Sequence, residues 1–590
     1  MILPMKKGAL VLLALLLAGP VRVRAADDPH TLTYALSTDI DSLDPDWAYD
    51  ATSQFAIQQM YEGLVDFDGP SIDRFTPRMA SVIPSRANGF LSADGMTYAF
   101  PLRGGVKFHD GSTMTPADVK YSLLRFMLLD RDGGPSSLLL EPMTGRRTVV
   151  GADGRPDPEV FELADKSVSI EGGAIVLRLQ KPFAPLLSVL AGFAPVVSKS
   201  FVAAHGGWDG RQETWMAAWN VSKEKAALYE GEDGTGPFKL VRWDRALKRL
   251  TLARHDAYWR SPAQLAGAVL VTVEEAKTRR RMLESGEADV AQVDPHSLPY
   301  FQAVPGAVVD TGLPLIETNS VIFFNFKIEP KDNPWLASGR LDGAGITPEF
   351  FADPDVRKGF AFAFDTDAYI REGFQGAAVR ARGPIPKGLG YTLPASRATA
   401  NQIGLPYSLD ESSRLLRAVH GGDIWANGFL LPMAYPEGNS DRRLACRLMA
   451  EGLAKVNPKF RVDCRGIAQT KLLEELLAHR LSAFVYRWAL DYPDPHNAVE
   501  PFLHSTGFFG SALSYSNPRA DAMVAQAAAE SDPNERRKQY SELEALALYD
   551  IPAIFTVDTT GALARRVKVQ NWNYNPMQSY GMLYEVTKLP

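Results

Sequence analysis

Two acidic residues and one histidine lie close together in the stretch WALDYPDPHN, at 488–497. Asp491, Asp494 and His496 are residue types that bind metal ions or take part in acid–base chemistry. A metal site needs three or four converging ligands, and the prolines of this stretch hinder such convergence within one loop. We therefore expect no metal ion here.

A second acidic group, Asp39, Asp41 and Asp44, lies in STDIDSLDP near the start of the chain. Paired carboxylates can serve glycosidase chemistry, but Asp side chains that bind their own backbone in a turn are a simpler account. The motifs HExxH, GxSxG, GxxxxGK[ST] and GxGxxG do not occur in the sequence. We expect a protein that is not an enzyme and uses no cofactor, with an exported hydrolase as the alternative.

The first 25 residues are typical of a secretory signal peptide. Two lysines precede an apolar run at 9–18, a Gly-Pro pair ends the run, and cleavage after Ala25 is expected. The run is shorter than a membrane-spanning helix, which argues against the alternative of a membrane anchor. The sequence therefore predicts export to the periplasm.

The chain that remains, about 565 residues, is long enough for two to four domains. Its composition is that of a globular protein, with 46% hydrophobic and 22% charged residues over the whole sequence. The 63 Lys and Arg residues, four of them in the predicted signal peptide, are outnumbered by 69 Asp and Glu residues. This acidic balance argues against a nucleic-acid partner.

Short apolar strands alternate with helices along most of the chain, which predicts an α/β fold. Examples are a strand at 32–37, a helix at 52–61 and a strand at 96–103. The stretch 130–158 is rich in Gly, Pro, Arg and Asp, and it predicts surface loops.

The two cysteines lie on neighbouring predicted elements. Cys446 falls on an amphipathic helix, and Cys464 falls on the extended segment that follows it. An exported protein permits a disulfide, and a helix packed on its following strand would bring the two together. The sequence alone leaves open whether they are bonded or free.

Several segments together resemble the family 5 solute-binding proteins of ABC importers, which include oligopeptide-, dipeptide- and nickel-binding proteins. The most recognisable one is LSADGMTYAFPLRGGVKFHDGSTMTPADVKYSLLR at 91–125. The others are STDIDSLDP (37–45), YEGLVDFD (61–68), GTGPFKLVRWD (234–244), HDAYWR (255–260), ESGEADVAQ (284–292), NFKIEP…DPDVRKGFAFAFDTDAYI (325–370), WALDYPDPHN (488–497) and RRKQYSELEALALYDIPAIF (536–555). The segments follow the same order as in the family along nearly the whole mature chain, and coincidence does not explain that agreement.

This resemblance implies a two-lobe periplasmic binding protein of type II, in its large three-domain form, with a hinge between the lobes. The first lobe is expected to be discontinuous, at 27–60, 195–315 and 558–590. An extra domain is expected at 61–194 and the second lobe at 316–557. The resemblance also implies a monomer that delivers its ligand to an inner-membrane ABC permease.

The resemblance further implies where the ligand binds. Asp491 matches the family position whose carboxylate pairs with the α-ammonium of a bound peptide, and Trp488 is expected to wall the pocket. Asp39 and Ile40 match a segment that offers main-chain hydrogen bonds to the peptide. Arg487 departs from the family pattern, since relatives that bind peptides can carry a small residue there.

Each of these residues also has a plainer interpretation. Asp491 would cap a turn, and Trp488 would pack in a core. Arg487 would neutralise Asp491, recognise an anionic ligand with its planar fork, or lie on the surface. The function expected is reversible capture of an oligopeptide or dipeptide. The alternatives are another solute (nickel or a metal chelate, an oligosaccharide, an opine or a peptide conjugate) and a chemoreceptor partner or folding helper.

Overall fold

A computed structural model describes residues 30–129, 134–151, 153–375, 377–391, 405–578 and 580–589. The predicted signal peptide at 1–25 lies outside these ranges. Within them, no helix has the length and apolar character needed to cross a membrane.

The strands, in chain order, are β1 (Thr31–Leu36), β2 (Val65–Phe67), β3 (Phe75–Pro77), β4 (Thr97–Pro101), β5 (Val168–Glu171), β6 (Ala174–Arg178), β7 (Phe238–Asp244), β8 (Arg249–Arg254), β9 (Gly267–Thr272), β10 (Val290–Val293), β11 (Ala307–Pro314), β12 (Glu317–Phe324), β13 (Ala378–Arg380), β14 (Phe429–Pro436), β15 (Phe460–Ile467), β16 (Ala483–Ala489), β17 (Ala553–Ile554), β18 (Val557–Arg566), β19 (Val569–Gln570) and β20 (Thr587–Lys588).

The α-helices are α1 (Ala51–Met60), α2 (Pro116–Leu128), α3 (Ser137–Thr144), α4 (Pro158–Ser167), α5 (Leu186–Gly192), α6 (Lys199–Ala204), α7 (Gln212–Ala218), α8 (Ala276–Ser285), α9 (Leu298–Gln302), α10 (Pro354–Ala363), α11 (Thr366–Phe374), α12 (Leu409–Ala418), α13 (Asp423–Asn427), α14 (Ser440–Val456), α15 (Gln469–Leu477), α16 (Pro495–Leu503), α17 (Phe508–Ala512), α18 (Pro518–Ala529) and α19 (Pro533–Asp550).

The first lobe is built around the parallel strands β1, β9 and β10, and β8 and β7 extend the sheet antiparallel on one side. The side chains of β1 are almost all buried, as expected for a parallel strand covered on both faces. The strand predicted at 32–37 and the helix predicted at 52–61 are confirmed as β1 and α1. Asp50 caps α1 by accepting hydrogen bonds from the first backbone amides of the helix.

The second lobe is built around β14, which pairs in parallel with β15 and β16, while β12 runs antiparallel to β16. Separate buried clusters form its cores, one including helices α10, α11, α12 and α14 and the other helices α15 to α19. The long strand β18 joins the lobes, because its carboxyl-terminal part pairs with β10 and β11 and its amino-terminal end pairs with β12 and β13. One 13-stranded sheet therefore runs through both lobes.

A third region contains the antiparallel sheet β4–β6–β5 and the helices α2 to α4. Helix α2 begins with a capping box formed by Thr115 and Asp118. The interpretation of 130–158 as loops is wrong for Ser137–Thr144, which forms α3. Leu139, Leu140 and Met143 of this helix are fully buried, and their apolar packing stabilises one short helix despite a proline within it.

Cys446 and Cys464 form a disulfide, with their Cα atoms 6.0 Å apart. Cys446 lies on α14 and Cys464 on β15, which pack against each other. The bond ties the helix to the strand that follows it, which settles the question that the sequence left open.

A candidate ligand site between two sheet edges

The carboxyl ends of the parallel strands mark one edge of each lobe. In the first lobe, β1 leads into the segment 37–40, and β10 leads into a turn of 3-10 helix at Pro295–Ser297. In the second lobe, β14 leads into α14, and β16 leads into the predicted binding segment around Asp491. Ligands of open α/β sheets bind outside such carboxyl ends, so these edges are the first place to look for a site.

Two contacts show that the two edges face each other. The Tyr49 hydroxyl of the first lobe donates a short hydrogen bond to Oδ1 of Asp491 in the second. Farther along the edges, His296 Nε2 lies 3.0 Å from Oδ1 of Asp441. We call the space between the two edges, bounded by these contacts, the interlobe cleft.

Asp491 is held by Asn497 as well as by Tyr49. Its backbone N–H donates to Oδ1 of Asn497 at 2.7 Å, and Nδ2 of Asn497 donates to Oδ2 of the carboxylate at 3.1 Å. Asn497 lies in the first turn of α16, so this helix fixes the position of the carboxylate. Because the hydrogen-bond donors to its carboxylate are both uncharged, the negative charge of Asp491 is not compensated when the carboxylate is ionised.

Burial raises the pKa of Asp491 to about 6, because removal from water disfavours the charged form. The hydrogen bonds from Tyr49 and Asn497 act in the opposite direction and limit the rise. A cation placed beside the carboxylate would lower this pKa, since it favours the ionised state. The ionised carboxylate can therefore take a positively charged group as a partner.

Trp488 lies beside Asp491 and is partly buried. Its Nε1–H donates to the backbone oxygen of Asn497 at 2.8 Å. The ring packs against Phe508 and Phe509 of α17, at centroid distances of 6.1 and 5.8 Å. Asn497 thus orients both Trp488 and Asp491, and the indole forms a fixed apolar surface next to the carboxylate.

Arg487 forms a salt bridge with Glu317 and is 53% exposed in its side chain, with Nη1 3.2 Å from Oε2. The side chains of Arg487 and Trp488 point to opposite faces of the sheet, as those of neighbouring residues in a strand do. No described contact joins Arg487 to Asp491.

Ile40 and Asp39 lie at the carboxyl end of β1, in the first lobe. The Ile40 side chain is only 4% exposed and belongs to a core. Its backbone N–H donates to Oδ1 of Asp39, which also accepts from the Thr272 hydroxyl at 3.2 Å. The structure thus places Asp491, Trp488 and Arg487 on one edge and Asp39 with Ile40 on the edge of the other lobe.

Sequence reasoning missed Tyr49 and Asn497. Tyr49 is separated from Asp491 by 442 positions, and no local pattern reports such a contact. Asn497 stood within the quoted stretch WALDYPDPHN, three residues after an Asp-Pro helix start, and that position in the first helical turn was the available signal.

The other acidic and histidine residues considered above have structural partners. Asp44 is buried against Arg125, and Asp494 forms a buried ion pair with Arg536 at 2.7 Å. His496 Nδ1 lies 2.8 Å from the Tyr492 hydroxyl. In the ranges that the structure covers, no group of three or more His, Cys, Asp or Glu is arranged to hold a metal ion.

Two lobes joined at a shared sheet, with their carboxyl edges facing each other, have the two-lobe type II fold. Residues 76–510 match the model of "Bacterial extracellular solute-binding proteins, family 5 Middle". The chain therefore belongs to the family 5 solute-binding proteins, as the motifs predicted.

The individual relatives share less than a quarter of their residues with this chain. The chain is 24% identical over 530 residues to the glutathione-binding protein GsiB of Pectobacterium atrosepticum, and the match covers 88% of this chain and 87% of the relative. A solved structure of the periplasmic binding protein DppA from Helicobacter pylori, in complex with the peptide STSA, superposes with a TM-score of 0.70 at 20% identity, covering 95% and 98% of the two chains. AgaA of Agrobacterium tumefaciens, in complex with agropinic acid, gives a TM-score of 0.68 at 19% identity, with 95% and 99% covered.

Proposed function

We propose that this protein is the periplasmic solute-binding subunit of an ABC importer, and that it binds short peptides reversibly without chemical change. The observation that carries the proposal is the Asp491 carboxylate, held at the edge of the interlobe cleft by neutral donors alone. The relatives named for glutathione and peptide binding support the same ligand class.

The ammonium group of a peptide is the proposed partner of Asp491. A cation removed from water needs a charged hydrogen-bond acceptor, and a carboxylate whose remaining partners are neutral supplies one. Trp488 would cover the apolar side of the first peptide residue. Asp39 and Ile40, on the facing edge, are proposed to contact the peptide backbone, through main-chain groups that the turn does not already use.

Closure of the two lobes is the proposed conformational step. This step uses the predicted division of the chain. The first lobe is at 27–60, 195–315 and 558–590, the extra domain at 61–194 and the second lobe at 316–557. The bounds of the second lobe are supported by its two cores, whose buried residues all lie within 316–557. A ligand shifts the equilibrium toward the closed form only by the contacts that it makes with both edges. Transfer to the permease would follow from recognition of that closed form.

Calorimetry with two related tripeptides tests the proposal. Ala-Ala-Ala, which has a free ammonium group, should bind, and N-acetyl-Ala-Ala-Ala should bind at least about 30-fold more weakly because a buried charge loses its partner. Asp491→Asn should remove this preference. Asp463→Asn, which alters an acid on β15 that pairs with Arg465, should retain it.

Equal binding of the two tripeptides by the unaltered protein would remove Asp491 from the site. Glutathione, which also carries an ammonium group, belongs in the same titrations because a relative is named for it. Native mass spectrometry of the protein purified from its own periplasm gives an independent result, and a co-purified opine or other non-peptide solute would replace the peptide assignment.

A further inference from the structure

The predicted extra domain at 61–194 contacts the second lobe through aromatic side chains. Phe183, between β6 and α5, is 8% exposed and packs against the rings of Tyr492 and His496, at centroid distances of 6.3 and 5.8 Å. Tyr492 is buried, and it packs into the large core that the first lobe and the extra domain share. Among the described residues, it is the only buried member of that core from 316–557. A side chain of the second lobe thus completes a core outside its own lobe.

Polar contacts surround these rings. The Ala184 N–H donates to the backbone oxygen of Ala528 in α18 at 3.1 Å. Arg147 Nη1 lies 2.8 Å from Oε1 of Glu500 in α16. An apolar centre with polar groups at its margin is typical of protein interfaces. We call this contact the clasp, and it consists of Arg147, Phe183 and Ala184 on the extra domain and of Tyr492, His496, Glu500 and Ala528 on the second lobe.

The clasp adjoins Asp491. Tyr492 is the next residue in the chain, and a Cβ atom placed on Gly192 of the extra domain would lie 3.8 Å from the backbone oxygen of Asp491. Asn497, which holds the carboxylate, follows His496 in the first turn of α16. The extra domain therefore contacts the same short segment that carries the carboxylate.

Opening of the lobes would separate the two sides of the clasp. The first lobe and the extra domain share one buried core, whereas the second lobe has two cores of its own. A movement of the second lobe about β18 would therefore take Tyr492 out of the extra domain and expose its ring and that of Phe183 to water. Exposure of aromatic rings is unfavourable, so the clasp favours the arrangement in which the lobes lie together.

We propose that the clasp is a closing contact that positions Asp491 for the ligand, with Phe183 and Tyr492 as positioning residues. The inference rests on the proposed function, in which Asp491 binds the ammonium group of a peptide. A ligand that touches both edges favours the closed arrangement, and the clasp favours the same arrangement without touching the ligand. Loss of the clasp lowers the population of the closed form, and the apparent affinity falls with it.

Hydrogen exchange at Ala184 reports the clasp directly, because the acceptor of its N–H lies in the second lobe. Pro182 and Pro185 carry no N–H, so the stretch 182–185 has only two exchangeable backbone amides. Saturation with Ala-Ala-Ala should slow exchange in this stretch by at least about tenfold, since an opened clasp exposes the amide. Unchanged exchange on saturation would show that the two domains stay together in both states, and it would overturn the proposal.

Phe183→Ala tests the role of the clasp in binding, because it alters the extra domain and leaves the second lobe intact. It should weaken Ala-Ala-Ala binding by about 10- to 100-fold and largely abolish the slowing of exchange. It should also reduce the preference for Ala-Ala-Ala over N-acetyl-Ala-Ala-Ala, which a loss of stability alone would leave unchanged.

Phe161→Ala is the matched control. Phe161 lies in α4 of the same domain, is 7% exposed and packs against Trp208 and Trp215 of the first lobe. Its loss should lower the melting temperature without a change in affinity, in preference or in the response of exchange to Ala-Ala-Ala.

Variants of Tyr492 test the second lobe's side of the clasp. Tyr492→Phe, which keeps the ring, should stay within about fivefold of the affinity of the unaltered chain, whereas Tyr492→Ala should resemble Phe183→Ala. If Phe183→Ala does not fold, Arg147→Gln takes its place. This change removes the charge paired with Glu500 and should weaken Ala-Ala-Ala binding by about 2- to 5-fold.

Unchanged affinity and preference in Phe183→Ala, or unchanged affinity in Arg147→Gln where that variant replaces it, would overturn the clasp and leave the peptide function standing. If Ala-Ala-Ala does not bind the unaltered chain, the peptide function fails, and exchange without ligand decides the clasp. Faster exchange at 182–185 in Phe183→Ala than in Phe161→Ala, with β1 and β14 unchanged, would keep the closing contact. Equal exchange in the two variants would reject it.

Discussion

Arg125 and Arg442 are two buried arginines in different regions of the molecule, and their surroundings differ sharply. Arg125, on α2, is 5% exposed, and its terminal nitrogens bind Asp44 at 2.9 and 2.6 Å and Asp46 at 2.5 Å. Arg442, on α14, is 7% exposed and has no such partner among the described residues. The comparison teaches that burial alone does not show what a charged side chain does.

Other buried arginines follow the pattern of Arg125. Arg279 donates to backbone oxygens and Asp294, Arg357 donates to backbone oxygens at the end of α19 and before α10, and Arg536 binds Asp494 through both terminal nitrogens. In each case the protein itself satisfies the guanidinium. Arg442 departs from this pattern, because no described residue accepts a hydrogen bond from its guanidinium and only the ring of Tyr486 lies beneath it.

Arg125→Met should produce the largest change in stability. The substitution leaves Asp44 and Asp46 buried beside each other without their cation, which should lower the free energy of unfolding by about 3–5 kcal/mol. Urea denaturation followed by circular dichroism measures this. A loss below about 1 kcal/mol would mean that the ion pairs of Arg125 contribute little, and the contrast with Arg442 would then disappear.

Removal of the disulfide should have a smaller effect that is confined to the second lobe. The bond closes a separation of 18 residues between α14 and β15, and the double variant Cys446→Ser, Cys464→Ser should lose about 2–4 kcal/mol. Since Cys446 lies one turn after Arg442, amide hydrogen exchange should rise in α14. Exchange in α2, which carries Arg125, is the internal control, and an equal rise there would show that the lobes unfold as one unit.

The sequence predicted the secondary-structure elements well, but it did not predict the contacts between the lobes. The apolar residues of β1 and the start of a helix after Asp50 are local signals, and both elements were confirmed. The helix α3 was missed because glycines and prolines surround its few apolar residues. The family resemblance drew attention to Asp491, but its contact with Tyr49 depends on how the two lobes are placed against each other.

The burial of Arg442 could not be predicted for a similar reason. It lies in the sequence SDRRLACRL, where charged residues at the start of a helix are typical of a solvated face. Only the packing of α14 over Tyr486 distinguishes buried Arg442 from exposed Arg443. Which of two adjacent arginines loses its water is a property of the tertiary structure.

Asp491 is an intermediate case between the two arginines. Its carboxylate has hydrogen-bond partners, as Arg125 has, but those partners carry no charge. Its pKa of about 6 lies above that of an Asp in an unfolded chain, about 4. The folded protein therefore holds a proton that the unfolded chain releases, so stability relative to Asp491→Asn is greatest below pH 4 and falls as the pH rises to 6.

Ligand affinity should show the opposite dependence on pH. An ammonium group pairs with the ionised carboxylate, so affinity for Ala-Ala-Ala should fall below pH 6 by up to about tenfold per unit. Calorimetry from pH 4.5 to 8 measures this, and Asp491→Asn should flatten the profile. A profile unchanged in that variant would assign the titration to another group.

Arg442→Met should change stability least. Methionine retains an apolar stem over Tyr486 and removes a charge that burial disfavours, so the free energy of unfolding should stay the same or rise by about 1 kcal/mol. Arg443→Met, on the exposed side of the same turn, should stay within about 0.5 kcal/mol. A loss above about 2 kcal/mol for Arg442→Met alone would place it with Arg125 as a structural residue.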